Sequence, residues 1–314
     1  MVPQTRYPLN QCALFKCSSK RRLESLLFLK QGSLKNLQSL YQYYEFEINK
    51  KHSAEKRNIT APNCDLKQIQ KRILHLLSRI ERPSWLYSGE RGKSYIDNGK
   101  AHLNSKYLLT MDIKSFYDNC TRDPVYRFFR HKLQTSPDIA KILTDIVTYK
   151  GGIPTGCPTS QLIAFYAYED MFFLIADIAK SYHCTFSLYV DDMTFSSIDY
   201  FNPHYLQQKI DIILRKYGHR PKYKKINFYT AKDAKPVTGT IITPTHILVP
   251  PNTLQHSIYS DFKTFKQFRN HSNLSSKEKE LLNTLKGRIQ AAQNIQSDIF
   301  PELSRQVQIF VNNS

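Results

Sequence analysis

The stretch that decides the fold reads Phe186-Ser187-Leu188-Tyr189-Val190-Asp191-Asp192-Met193-Thr194-Phe195-Ser196. Residues typical of strands lead up to two adjacent acids and resume after them, which predicts strand, tight turn, strand, with both carboxylates at the tip. Two neighbouring aspartates repel each other unless a cation lies between them. A divalent ion with a preference for oxygen ligands, Mg²⁺ or Mn²⁺, is the simplest candidate. A solvated acidic turn is the alternative, and this stretch by itself does not separate the two.

The charge of the chain indicates a polyanionic partner. The 314 residues include 45 Lys and Arg against 26 Asp and Glu, a net charge of +19. Residues 1–110 hold 20 basic and 8 acidic side chains, a net of +12, whereas residues 111–250 hold 17 and 13 and residues 251–314 hold 8 and 5. Nucleic acid is the most direct partner for such an excess, and the N-terminal third is its expected footprint.

The cysteines and the hydropathy pattern indicate a cytoplasmic protein with no membrane partner. The six cysteines form no CxxC pair and share no zinc-type spacing with histidines. We therefore expect free thiols in a reducing compartment. The N-terminus lacks a charged-then-apolar signal pattern, and no apolar run is long enough to span a bilayer.

A third acid lies at the end of another predicted strand. Tyr107–Ile113 reads as a buried strand that carries Asp112 near its end, where a charge is costly unless it is paired or binds a metal. Placed beside Asp191 and Asp192 in one sheet, Asp112 would complete a site for two metal ions about 3.5–4 Å apart, an arrangement that serves in-line phosphoryl transfer.

A loop rich in Gly and Pro separates the two acidic segments. Residues 151–160, Gly-Gly-Ile-Pro-Thr-Gly-Cys-Pro-Thr-Ser, can bring backbone close to a ligand, and they precede a long apolar helix predicted over about residues 159–180. On composition alone, a plain connector is the better interpretation of this loop.

Four motifs in this order make the chain resemble reverse transcriptases, and among them the bacterial retron group. The motifs are Asp112 with Phe116 and Tyr117; Pro154–Ser160, similar to PQGxPxSP; Tyr189–Asp192, a YxDD box; and Gly218 with Lys224 and Lys225. Two further segments favour the retron group: Asn98–His102 resembles its NAxxH motif, and Val237–Gly239 matches its VTG motif.

The chain also departs from the family pattern at several positions. Thr155 replaces a Gln, Gln161 replaces a Pro, Gly99 replaces an Ala, and Tyr117 stands where many bacterial members have Phe. None of these changes removes a predicted metal ligand. The changes at Thr155 and Gln161 put the template and nucleotide contacts of the loop in doubt.

The resemblance implies an α+β right-hand polymerase. We expect fingers in residues 1–106 together with part of 123–160. Residues 107–250 form the expected palm, an antiparallel sheet with helices, and residues 251–314 the expected helical thumb.

The resemblance also implies roles for single residues around the nucleotide. Asp112, Asp191 and Asp192 are the expected catalytic metal ligands for two Mg²⁺ ions, with Mn²⁺ as the alternative ion. Tyr117 would lie under the sugar of the incoming nucleotide, and Lys56, Arg57 and Gly156 would bind that nucleotide. Lys224 or Lys225 would protonate the pyrophosphate leaving group. The alternatives are a core aromatic for Tyr117, a solvated basic strand for Lys56 and Arg57, and template-backbone binding for the lysine pair.

The retron motifs are the expected RNA-binding residues: Asn98, His102, Val237, Thr238 and Gly239. A structural hydrogen-bond role is the alternative for Asn98 and His102, and a simple β-turn is the alternative for residues 237–239.

By the same resemblance, the function would be DNA synthesis from dNTPs on a cognate structured non-coding RNA. Synthesis would start from a guanosine 2′-hydroxyl and give branched RNA–DNA (msDNA), which with an effector protein encoded nearby would serve anti-phage defence. Two alternatives remain open at this point. One is another bacterial reverse transcriptase class, intron-type or abortive-infection. The other is a catalytically silent nucleic-acid scaffold that holds an effector.

Overall fold

The structure, a computed structural model, describes residues 6–35, 42–49, 56–268 and 274–313. Its helices are α1 Lys20–Leu26, α2 Cys64–Leu77, α3 Tyr95–Ala101, α4 Arg122–Arg127, α5 Pro137–Val147, α6 Ser160–Ala167, α7 Glu169–Ser181, α8 Pro203–Lys216, α9 Asn252–Phe268, α10 Ser276–Ile295 and α11 Pro301–Asn313. Its strands are β1 Tyr43–Asn49, β2 Lys56–Pro62, β3 Tyr107–Asp112, β4 Thr185–Tyr189, β5 Asp192–Ser197, β6 Asn227–Tyr229, β7 Lys235–Val237, β8 Thr240–Ile242 and β9 Leu248–Val249.

A four-stranded antiparallel sheet in the order β4-β5-β3-β6 lies at the centre. The strands β4 and β5 form the hairpin predicted from residues 186–196. Its second strand pairs with β3, so that Met111 lies opposite Met193 and Asp112 opposite Asp192. The pairing brings together two acidic segments that are far apart in sequence.

Helices cover this sheet and share one large core with it. Leu109, Met111, Phe172, Phe195 and Leu206 are among its buried members. The long helix predicted over about 159–180 is instead two helices, α6 and α7, which meet at Tyr168. The backbone of Tyr168 leaves the helical conformation (φ −120°, ψ 18°), and its buried hydroxyl accepts a hydrogen bond from the Thr121 amide and donates one to the Asn119 carbonyl.

Smaller units flank the central sheet. The strands β1 and β2 form a separate hairpin, and β7, β8 and β9 form a three-stranded sheet. The C-terminal helices α9, α10 and α11 enclose a core of their own, which includes Phe262, Phe265, Leu285 and Val307. None of the described helices combines the length and the apolar character needed to cross a bilayer. The mixture of helices and antiparallel sheets confirms the α+β class, while the boundaries of fingers, palm and thumb stay predictions.

Candidate active site

Three carboxylates come together at one end of the central sheet. Asp112 ends β3 and is 9% exposed, and Asp192 begins β5 directly opposite it. Asp191 lies in the turn before Asp192, and its carbonyl accepts a 3.1 Å hydrogen bond from the amide of Ile113. The strand pairing and this bond fix the two acidic segments against each other.

The turn that carries Asp191 is held in an unusual backbone conformation. Val190 has φ +61°, in the left-handed region that β-branched residues avoid. Its amide donates a 2.9 Å hydrogen bond to the Ser88 hydroxyl, and Tyr87 bonds through its amide to the Leu188 carbonyl. Strained residues of this kind persist only where the surroundings hold them, and they concentrate at functional sites. Ser88 was not predicted from the sequence, because a partner 102 positions away leaves no local pattern around it.

Negative charge accumulates at this end of the sheet. Burial, together with the charges of Asp192 and Asp112, raises the pKa of Asp191 to about 6. Burial and the charge of Asp112 likewise raise the pKa of Asp192. The ammonium group of Lys225 lies 2.6 Å from Asp112 Oδ2, and this hydrogen bond raises the pKa of Lys225. Because the pKa values of Asp191 and Asp192 stay raised, the positive charge of Lys225 does not neutralise the negative charge of the three aspartates.

This donor set fits Mg²⁺ held jointly with a substrate. Within the described ranges, no three His, Cys, Asp or Glu side chains are placed to hold a metal ion by themselves. Mg²⁺ in nucleotide-handling sites usually takes only one or two carboxylates and completes its shell with water and substrate phosphates. Asp191 and Asp192, whose pKa values are raised by burial and by neighbouring carboxylates, match that requirement together with the adjacent Asp112. Asp112, Asp191 and Asp192 are therefore the residues that could hold such ions.

Replacing Asp191 by Asn is expected to stabilise the metal-free protein near neutral pH. A carboxyl whose pKa is raised from 3.8 to about 6 on folding supports the fold below pH 4 and loses that contribution as the pH rises through 6. The side chain of Asn does not ionise, so the variant would avoid the destabilisation that the charged Asp191 causes above pH 6. The free energy of unfolding at pH 7.5 should therefore rise by about 1–3 kcal/mol. Urea denaturation with EDTA at pH 4 and pH 7.5 measures this, with the exposed Asp199→Asn as control. An equal effect at both pH values would contradict it.

The Gly-Pro loop docks onto the β1–β2 hairpin. The amide of Gly156 donates to the Thr60 carbonyl at 3.0 Å, and a Cβ on Gly156 would lie 2.6 Å from that oxygen. Only glycine permits this approach without a shift of backbone. Thr155, one of the departures from the family pattern, donates from its hydroxyl to the Asn58 carbonyl at 3.2 Å. The loop therefore packs against β2, the strand that carries Lys56 and Arg57, and is more than a plain connector.

The other predicted nucleotide-binding residues differ in their surroundings. Lys56 is exposed and pairs with Glu47 at 2.7 Å. The backbone of Arg57 pairs with Ile48, and the Arg57 side chain lies outside the described part of the structure. Tyr117 is half-buried beside Phe116, with ring centroids 5.6 Å apart. Of the lysine pair, Lys225 contacts Asp112, whereas Lys224 is exposed on the same short helical turn.

Comparison with known proteins gives the site its family context. The model of the family described as "Reverse transcriptase (RNA-dependent DNA polymerase)" matches residues 48–248. The chain belongs to the reverse transcriptase family. Among its relatives are the retron Se72 reverse transcriptase of Salmonella heidelberg, 29% identical over 49% of this chain and 41% of that protein, and the retron Ec86 reverse transcriptase of Escherichia coli, 26% identical over 50% of this chain and 49% of that protein. The matches thus span less than half the length of these two relatives, and they confirm the predicted resemblance to retron reverse transcriptases.

A solved structure supports the fold prediction. Telomerase from Candida tropicalis superimposes with a TM-score of 0.51 at 13% identity, over 68% of this chain and 55% of that one. The right-hand polymerase fold predicted from the sequence is confirmed. Residues 48–248, which the family model matches, contain all three clustered aspartates.

Asn98 and His102 of the retron-type motif are both buried, and the expectation that they bind RNA stays a prediction. Asn98 is fully buried and donates to the Thr238 hydroxyl at 2.9 Å. His102 is 1% exposed, and its ring nitrogens lie 2.7 Å from the hydroxyls of Ser187 and Ser196. Burial lowers the pKa of His102 to about 3, so the ring is neutral. The structural hydrogen-bond role is the one these contacts support, because His102 joins α3 to both strands of the carboxylate hairpin.

The VTG segment forms the turn between β7 and β8. Thr238 and Gly239 have φ of +38° and +81°, between the paired residues Val237 and Thr240. Two positive φ values in a two-residue loop are typical of a type I′ hairpin. Val237 is buried, whereas Gly239 is exposed. The Asn98–Thr238 hydrogen bond therefore ties the turn to α3, and Gly239 of the turn and Lys100 of α3 are both exposed.

His102→Ala is expected to destabilise the protein rather than weaken RNA binding directly. It leaves the Ser187 and Ser196 hydroxyls buried without their partner, which costs about 1–3 kcal/mol for each lost bond. The melting temperature should therefore fall by several degrees. RNA affinity measured well below the new transition should match that of the native protein. Loss of affinity with an unchanged transition would instead favour a direct contact.

Proposed function

We propose that the protein is an RNA-directed DNA polymerase of the retron type. The observation that carries the proposal is the pairing of Asp112 with Asp192 across β3 and β5, with Asp191 in the adjoining turn, in a chain of the reverse transcriptase family. This gives the carboxylate cluster needed to hold the ions of a phosphoryl-transfer site.

In this mechanism the three aspartates would hold two Mg²⁺ ions, or Mn²⁺ in their place. When bound, such ions activate an attacking hydroxyl and stabilise the phosphate oxygens of an incoming nucleotide. Lys225, positioned by Asp112, carries the proton on Nζ that the leaving pyrophosphate takes up. Lys56 and Arg57 supply positive charge for the triphosphate, and Tyr117 lies under the sugar and excludes a 2′-hydroxyl.

The substrates and partners follow from the retron relationship. The template is a structured non-coding RNA, the substrates are dNTPs, and synthesis begins at a guanosine 2′-hydroxyl to give branched RNA–DNA. The product stays with the enzyme and acts with an effector in anti-phage defence. The retron names of two relatives and the contact between the two retron-type motifs support this proposal. The free cysteines fit a cytoplasmic location.

Co-expression of the protein with the DNA that flanks its gene tests the proposal. Total nucleic acid should contain a short DNA that is joined to RNA through a 2′ branch and becomes free DNA after debranching. Cells with the Asp191→Asn/Asp192→Asn variant should lack it. If the native protein makes DNA on added primed RNA templates but no branched product forms with its flanking RNA, the polymerase remains and the retron assignment is wrong.

A further inference from the structure

A groove of about 620 Å³ lies between the segment that follows α1 and the outer face of α2. It shares no lining residue with the carboxylate cluster. One wall carries Phe28 and Lys30, and the other carries Lys71, Arg72 and His75. The groove thus combines an aromatic ring with a basic rim in the part of the chain that has the largest charge excess.

Phe28 occupies a position that packing does not explain. Its side chain is 76% exposed, and its backbone has φ +57°. It lies just past the end of α1, where its amide bonds to the Ser25 carbonyl and the next amide bonds to the Glu24 carbonyl. Glycine is the favoured residue at such a helix end because it adopts positive φ without a steric penalty. A bulky residue in this conformation costs free energy of folding, and the exposed ring gains no packing in return. Such a residue is consistent with a binding role.

Contacts with Arg72 hold one side of the Phe28 ring. The Arg72 guanidinium lies 4.1 Å from the ring centroid of Phe28, and Arg72 Nε donates to the Leu26 carbonyl at 2.8 Å. Buried Glu24 accepts a 3.0 Å hydrogen bond from the Leu34 amide, which fixes the far end of the segment. One side of the ring is therefore occupied by a held cation, and its high exposure leaves the other side open.

The charges around the ring select an anionic partner. Among the described lining residues, Asp65 is the one acid, against the cations Lys30, Lys71 and Arg72. Among the described residues, no carboxylate forms an ion pair with Lys30 or Lys71. An apolar protein surface laid over this groove would bury those ammonium groups without partners, which is unfavourable. A nucleic-acid strand supplies phosphates for the lysines and a flat base for the ring.

We propose that this groove binds a single-stranded stretch of nucleic acid, with one base stacked on Phe28 and its flanking phosphates at Lys30 and Lys71. Bases that are not paired stack on aromatic side chains with little sequence preference, whereas paired bases are not available to do so. The proposal deepens the proposed function, on which it rests for the expectation that the natural strand is the cognate RNA. The site would anchor that RNA outside the polymerase cleft.

Phe28→Gly separates binding from folding, because it removes the ring and also relieves the backbone. We expect about tenfold weaker binding of a fluorescent single-stranded 20-mer RNA in anisotropy at fixed salt, the effect of losing one base–aromatic stack. The melting temperature should be unchanged or higher. Lys71→Glu should weaken binding as well, whereas Tyr205→Ala, an exposed aromatic on α8, and Lys180→Glu, an exposed cation on α7, should not match these losses.

The same titrations with single-stranded DNA and with a blunt RNA duplex identify the ligand. A loss confined to single-stranded RNA identifies RNA as the ligand, and equal losses on RNA and DNA strands indicate recognition of any unpaired strand. A 20-mer carrying 5-iodouridine should in addition photo-crosslink to the peptide that contains Phe28. Unchanged affinity in Phe28→Gly, or an equal loss on the duplex, would overturn the proposal. These readouts need no DNA synthesis, so failure of the native protein to polymerise would contradict the proposed function separately.

Discussion

The double variant Asp191→Asn/Asp192→Asn is expected to synthesise DNA at least about a thousandfold more slowly than the native protein. Both amides keep the size of the aspartates, but they lack the negative charge that holds divalent ions. Since bound metal contributes several kcal/mol of transition-state stabilisation, and each 1.36 kcal/mol is about a factor of ten in rate, product should disappear from a primer-extension gel. RNA affinity should be retained, because removing two acids does not reduce the basic surface.

Asp199→Asn is the matched control for this variant. Asp199 is exposed just beyond the end of β5, so the control makes the same chemical change and leaves the carboxylate cluster intact. We expect near-native synthesis from it. Product from the double variant at more than a few per cent of the native rate would show that Asp191 and Asp192 do not hold the ions.

Lys225→Ala is expected to lower the rate of nucleotide addition by about a hundredfold, the typical effect of removing a general acid. Lys224→Ala should change it by no more than about twofold. The two lysines are neighbours in sequence, but it is Lys225 whose ammonium lies 2.6 Å from Asp112. Rapid-quench measurement of a single nucleotide addition, at saturating dNTP, separates this effect from weaker substrate binding.

The pH dependence distinguishes proton donation from charge neutralisation. Lys225→Arg keeps the positive charge but gives up its proton far less readily, so it should remain slow and lose the alkaline limb of the native pH–rate profile. Restoration of the native rate by Arg would show that Lys225 acts only through its charge. Equal losses in Lys224→Ala and Lys225→Ala would remove the basis for choosing between them.

The carboxylate cluster could be predicted from the sequence because much of the signal for it is local. Alternating strand residues around two acids specify a hairpin with Asp191 and Asp192 at its tip, and a buried strand that ends in Asp112 needs a partner for that charge. The order of the motifs then predicted the polymerase fold. The pairing of Asp112 with Asp192 agrees with that prediction.

The supporting contacts could not be predicted in the same way because they join residues distant in sequence. The Ser88–Val190 and Asn98–Thr238 hydrogen bonds carry no periodic signature in either partner. The helix α3 begins with a capping box at Ser94, and its Gly99 lies close against Thr240, a residue far away in sequence. For the same reason, the burial of His102 between two serines was open from sequence and was decided by tertiary packing.

The break at Tyr168 shows a second limit of sequence patterns. Apolar residues continue through α6 and α7 without Gly or Pro, so periodicity predicts one helix. The chain instead interrupts it where the Tyr168 hydroxyl reaches two backbone groups near the end of the first catalytic motif. A side-chain anchor of this kind is visible only once the neighbouring segment is in place.

The most direct test of the central claim is synthesis by the purified protein on an RNA template annealed to a DNA primer, with Mg²⁺ and with EDTA. The account predicts primer extension that requires the divalent ion, follows the template sequence when single dNTPs are supplied, and disappears in the Asp191→Asn/Asp192→Asn variant. A folded native protein that binds the primed RNA but adds no nucleotide with either Mg²⁺ or Mn²⁺ would contradict it.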